Sequence, residues 1–273
     1  MDNRPIGVFD SGLGGLTAVR ALARLMPEEE LVYFGDTGRV PYGGRSRETI
    51  IRYARQDVAF LSSFQPKAIV VACGTVSTTA LEVLRGEWAV PLFGVVEPAA
   101  RAAARLTRSG KVGLIGTRAT IRSGAYERAL AVLRPGAQVA ARACPLLVPL
   151  VENGRYRPGD PVAEAVVAEY LDPIREQEVD TLVLGCTHYP LLKPLIARHM
   201  GPQVTLVDVG EQCAQWVAGQ LTGRGLRSDR EGVGRHRYFV SDDTGDFAAL
   251  ASAFLGEDVG AQVEEIDITA YGS

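Results

Sequence analysis

The chain has 273 residues, 47% of them hydrophobic and 22% charged, enough to bury one large core or two smaller ones. Its formal net charge of −3 leaves no basic footprint for nucleic acid or an acidic membrane surface, and the arginines are scattered among Glu and Asp as on solvated faces. No apolar run reaches the ~18 residues of a membrane-crossing helix, and Met1-Asp2-Asn3-Arg4 leads into a strand-like segment with no signal-peptide pattern, so a cytoplasmic protein is expected.

Strand and helix signals then alternate. Apolar runs predict strands over 6–9, 31–35, 68–72, 90–95, 111–115, 138–143, 181–185, 204–207, 237–241 and 262–266. Between them, helical periodicity predicts helices over 16–26, 47–64, 75–85, 98–107, 120–133, 162–176, 191–200 and 211–221. This rhythm predicts an α/β fold with mainly parallel sheets covered by helices. It also repeats coarsely, which suggests two pseudo-symmetric α/β lobes facing a shared cleft. Periodicity does not say which lobe the elements after 208 complete. Assigned to the first, they give lobes of 1–97 plus 208–273 and of 98–207. The Gly-rich stretch 221–234 is expected to be an exposed excursion.

Two of the four cysteines occupy matching places. The run 68–72 ends in Cys73-Gly74-Thr75, and the run 181–185 ends in Cys186-Thr187-His188. The end of a strand feeding a helix is where α/β proteins present reactive groups, because helix N-terminal N–H groups there favour anions. Two matched thiols suggest a symmetric job. Cys144 and Cys213, in apolar surroundings, read as small buried hydrophobes, and no disulfide is expected. His188 is one of three histidines and lies two residues from a sulfur; His199 and His236 have no such neighbour. A zinc site is disfavoured because Cys-x-His stands without a second ligand pair, so no metal is expected. A core histidine satisfied by backbone is the plain alternative.

The first strand ends in Asp10-Ser11-Gly12-Leu13-Gly14-Gly15, where glycines permit a sharp turn and close approach of a ligand. A dinucleotide fingerprint fails on register, with Ala18 in the third glycine's place. Asp10 alone could be a helix cap. Gly35-Asp36-Thr37 and Pro41-Tyr42-Gly43 form a loop at the same sheet end, where Tyr42 offers a hydroxyl. Thr117 and Thr120 follow another strand. Glu152 is either an ordinary loop acid or one that polarises a neighbour in the cleft.

Taken together, these elements closely resemble the glutamate racemases of the cofactor-independent aspartate/glutamate racemase superfamily. The matching segments are 7–15, 35–37 with 41–43, 116–117, 149–152 and 184–190, in the family's order and spacing. The resemblance implies interconversion of L- and D-glutamate for peptidoglycan synthesis, without a cofactor, and a homodimer as in many relatives. It implies that Cys73 and Cys186 remove and return the α-proton from opposite faces, Asp10 assisting the first thiol, His188 the second, with Glu152 in support. Asp10, Ser11, Pro41, Tyr42, Gly43, Gly74, Thr75, Thr117, Thr120, Thr187 and His188 are the expected substrate-binding positions. One departure stands out: the family usually carries Cys-Asn-Thr at the first thiol, and here Gly74 replaces the amide. A lost buried hydrogen bond costs ~1–3 kcal/mol, which bears on substrate grip and leaves both thiols intact. A racemase of aspartate or another acidic amino acid is the alternative within the superfamily. A non-catalytic binding module and a one-thiol hydrolase are the alternatives outside it.

Overall fold

A computed structural model describes residues 1–242, 244–256 and 263–272. Among the described residues, ten strands fall into two all-parallel sheets. The first contains β1 (Ile6–Asp10), β2 (Leu31–Gly35), β3 (Ala68–Val71), β4 (Leu92–Gly94), β9 (His236–Val240) and β10 (Val263–Glu265), in the order β10-β9-β2-β1-β3-β4. The second contains β5 (Lys111–Gly116), β6 (Gln138–Ala143), β7 (Thr181–Leu184) and β8 (Thr205–Asp208), in the order β6-β5-β7-β8. The run β2-β1-β3-β4 and the run β6-β5-β7-β8 share one topology, so the coarse repeat of the sequence is a repeat of structure. The order in which strands are added reverses between β1 and β3 and between β5 and β7, and clefts form at such points, outside the carboxyl ends of the strands. Cys73 follows β3 and Cys186 follows β7, the equivalent strand of each sheet.

All ten expected strands are present, and residue 262, in the last of them, lies outside the described residues. They are legible because strands covered on both faces read as continuous Val/Ile/Leu runs; β1, β2, β3 and β7 are buried throughout. Helices depart more. The expected helix 75–85 is two, Gly74–Thr79 and Leu81–Glu87, meeting at Ala80. The expected helix 120–133 divides at Gly124, whose φ of 62° is left-handed, into Arg118–Ser123 and Ala125–Leu133. Two helices lie outside the expected set, Leu147–Glu152 and Thr244–Leu255.

The stretch 221–234 is largely exposed, as expected, but it is tied down. The helix Val209–Gly223 runs into it, and beyond that Arg227 pairs with Glu28 and Arg230 with Glu30 at 2.8 Å, while Gly234 N–H donates to the Pro27 carbonyl. It straps the strand-start end of the first sheet, opposite the cleft. Ion pairs between distant segments carry no sequence pattern, which is why composition alone made it look loose. The main core runs through the second sheet and one face of the first; Phe9, Phe34, Phe60 and Phe239 centre a second cluster on the first sheet's other face.

Candidate active site

The carboxyl ends of both sheets converge on one cavity of about 410 Å³. Its wall carries Ser11, Pro41, Tyr42, Gly43, Cys73, Gly74 and Thr75 from the first sheet's side and Thr117, Glu152, Cys186, Thr187 and His188 from the second. Most of the positions singled out in the sequence therefore meet in one place. Asp10 and Thr120 do not reach the wall; they are buried directly behind it.

Each thiol has its own polar company. Cys73 Sγ lies 3.3 Å from Ser11 Oγ, and burial, followed by the negative charge of Asp10, pushes its pKa up to about 12. Asp10 reaches Cys73 through charge, while the hydrogen-bond contact belongs to Ser11. The Asp10 carboxylate itself accepts from Gly12 N–H at 3.1 Å and from Thr187 Oγ1 at 3.3 Å, the latter across the cleft. Burial raises its pKa, against the lowering pull of His188.

On the other side, Cys186 Sγ stands 3.9 Å from His188 Nδ1, and His188 Nε2 stands 3.1 Å from Glu152 Oε1. Burial alone would depress the imidazole, yet its hydrogen bonds to the Cys186 sulfur and the Glu152 carboxylate outweigh it and raise the pKa to about 10. The ring is thus held by two side chains, Cys186 and Glu152, which answers the backbone-satisfied core alternative. The ring of Phe254, from the helix Thr244–Leu255, packs edge-on against it with centroids 5.6 Å apart. Glu152 ends the short helix Leu147–Glu152 and is no loop acid. The expectation of a helix start at Cys186 does not hold: a 3-10 turn over Tyr189–Leu192 intervenes before the helix Lys193–Met200. His199 does have a carboxylate, Asp172 at 3.0 Å, but neither lines the cavity.

The glycines have a cross-cleft purpose. A Cβ on Gly14 would lie 2.5 Å from His188 Nδ1 and closer still to Thr187 Oγ1, so the Gly-rich turn lets the two lobes pack against each other. Gly74 likewise faces the backbone of Gly185, whose carbonyl oxygen would be 2.5 Å from an added Cβ. The lobes also touch where Thr75 Oγ1 meets Thr117 Oγ1 at 3.0 Å, and Thr117 in turn donates to Thr120 at 3.1 Å.

Tyr42 corrects one expectation. Its hydroxyl donates to Asp36 and lies 3.3 Å from Asp57, so it faces away from any substrate. Arg39 joins the same cluster, 2.6 Å from Asp36 and 3.2 Å from Asp57. Burial and then the Asp36 charge raise Asp57 well above the usual carboxylate range. This cluster anchors the loop, whose residues 40–44 line the cavity. Sequence reasoning also missed Arg118 and Cys144 on the wall. For Arg118 the signal was its place directly after the Gly116-Thr117 motif.

With this geometry in view, the chain belongs to the Asp/Glu/hydantoin racemase family, whose sequence model matches residues 16–215. Within the family it stands with the glutamate racemases, and it is by that kinship a racemase. The glutamate racemase of Geobacter metallireducens is 48% identical over 257 residues, 94% of each chain. The structure of glutamate racemase from Francisella tularensis in complex with D-glutamate matches with a TM-score of 0.91 at 34% identity, covering 99% of this chain and 100% of that one. The Thermus thermophilus glutamate racemase, in complex with β-chloro-D-alanine, matches with a TM-score of 0.87 at 48% identity, covering 98% and 99%. Among the described residues, no helix is long and apolar enough to cross a membrane.

Proposed function

We propose that this chain interconverts L- and D-glutamate, with Cys73 and Cys186 as the two acid–base groups. The observation that carries the reading is a pair of buried thiols brought to one cavity from equivalent strand ends of two opposed sheets. Inversion at a carbon by proton removal and return needs groups on both faces, and this layout supplies them. One sulfur, as thiolate, takes the α-proton, and the electron pair of the broken C–H bond passes to the α-carboxylate as an enediolate. Hydroxyl and backbone groups of Ser11, Thr75 and Thr187 are suited to hold that charge. The opposite sulfur, as thiol, returns a proton to the other face, leaving the pair with its protons exchanged. Ser11 and the Asp10 charge tune Cys73; the His188–Glu152 pair holds a proton beside Cys186.

The similarity to glutamate racemases favours glutamate over aspartate as substrate. D-Glutamate for peptidoglycan in the cytoplasm and a homodimeric assembly are readings supported by family kinship, and sedimentation equilibrium tests the second. Sheet membership supports lobes of 1–97 plus 208–273 and of 98–207, except that Asp208 itself ends β8 of the second sheet. The primary test is loss of the α-proton signal of D- or L-glutamate in deuterated water; no exchange with either enantiomer sinks the proposal. Cys73→Ala and Cys186→Ala should each lower racemisation, followed by circular dichroism, by about 10³-fold or more. Near-full activity in either variant would rule out the two-thiol mechanism.

A further inference from the structure

Arg118 is the only Arg or Lys in the cavity wall among the described residues. It opens the helix Arg118–Ser123 and is exposed, and its side chain makes no hydrogen bond or ion pair among the described residues. Elsewhere Arg39, Arg55, Arg101, Arg227 and Arg230 are each tied to a carboxylate. An unpaired guanidinium at the mouth of a cavity is a different object, because its fork of donors is free for a planar anion.

Its position is set by its neighbours. Thr117, immediately before it, touches Thr75 across the cleft, so the Arg118 side chain starts where the second lobe meets the Gly74-Thr75 corner of the first. That corner carries no amide side chain, and it has no room for one, since any Cβ at 74 meets the Gly185 carbonyl. Of the other groups on the wall, the Glu152 carboxylate is already paired with His188, and Cys73, Cys144 and Cys186 are thiols. An acidic amino acid with two carboxylates and one ammonium brings a net charge of −1 to this wall, and an offsetting cation favours its capture. The α-carbon must sit between Cys73 and Cys186, both buried, so the carboxylate furthest from it is the one that extends toward the exposed rim.

We infer that Arg118 binds the distal carboxylate of the substrate and sets the preference for acidic side chains, a role that rests on the racemase reading above. Arg118 touches the substrate and takes no part in moving the proton.

The test combines calorimetric binding with α-proton exchange, using D-glutamate and, as a probe with an uncharged side chain, D-glutamine. In R118Q the Kd and KM for D-glutamate should rise about tenfold, and by more than kcat falls, with R118K between the two. The weaker binding of D-glutamine should be the same in wild type and R118Q. Unchanged D-glutamate Kd and KM in R118Q overturn the inference, as does an equal loss for D-glutamine, which would mark a general structural role. If wild type binds D-glutamate through Arg118 but exchanges no α-proton, the racemase reading falls and the binding assignment stands. If exchange proceeds with KM indifferent to Arg118, the reverse holds.

Discussion

Cys73 and Cys186 are both buried, yet their sulfurs meet different surroundings. Around Cys73, burial and the Asp10 charge favour the protonated thiol, with its pKa near 12. The fold therefore favours Cys73 as the protonated thiol, and its surroundings must change before it can act as a base. Removing the Asp10 charge should ease ionisation of Cys73 even as it harms catalysis. In Asp10→Asn, alkylation of Cys73 by iodoacetamide at pH 8, followed by peptide mass spectrometry, should run about three- to tenfold faster than in wild type. Racemisation should fall about 10²-fold in the same protein. Equal alkylation rates would mean that burial alone holds the proton and that Asp10 serves the cleft in another way, through its bond to Thr187. Cys144 shows the limit of reading single residues: its apolar neighbours announced burial, and it is fully buried, but nothing in them announced that its strand end faces the cavity.

At the level of elements, the Gly-rich turn after β1 fails as a dinucleotide fingerprint, and the structure gives it another purpose. Gly14 is where the first lobe receives Thr187 and His188 of the second. Gly14→Ala should push the His188 ring out of line with Cys186, lowering kcat about 10²-fold, since a displacement near 1 Å has that effect. Overpacking should also lower stability by about 1–3 kcal/mol, read from denaturant unfolding. A kcat within twofold of wild type would show that the lobes need not approach this closely during turnover. The strands, and the thiols at their ends, were legible because buried parallel strands announce themselves locally. The helix Leu147–Glu152 was not, since six residues containing Pro149 give too short a pattern, although it delivers Glu152 to His188. Nor were the contacts between lobes. The pairs Gly14–His188, Gly74–Gly185 and Thr75–Thr117 join residues far apart in the chain, and no local periodicity encodes such meetings.

Across the whole molecule, the arrangement presents a problem of access. Cys73 is 5% exposed and Cys186 7%, and glycine contacts and the Thr75–Thr117 hydroxyl pair hold the lobes together beside the cavity. A substrate that must place its α-carbon between those sulfurs requires the lobes to part, and a closed cleft then excludes water from the carbanion. The two hydroxyls at 3.0 Å mark where a reversible lock can be fitted. In the double variant Thr75→Cys, Thr117→Cys, mild oxidation should join the lobes, with peptide mass spectrometry showing that the 75–117 pair, and no native thiol, is linked. The oxidised protein should exchange the α-proton of D-glutamate at least about tenfold more slowly than the same protein after dithiothreitol. Comparing one variant in two redox states cancels whatever the lost hydroxyls do to binding. Equal rates in the two states would mean that substrate reaches the thiols without separation of the lobes. The shared topology of the two halves would then frame a fixed channel, and the glycines at 14 and 74 would serve packing alone.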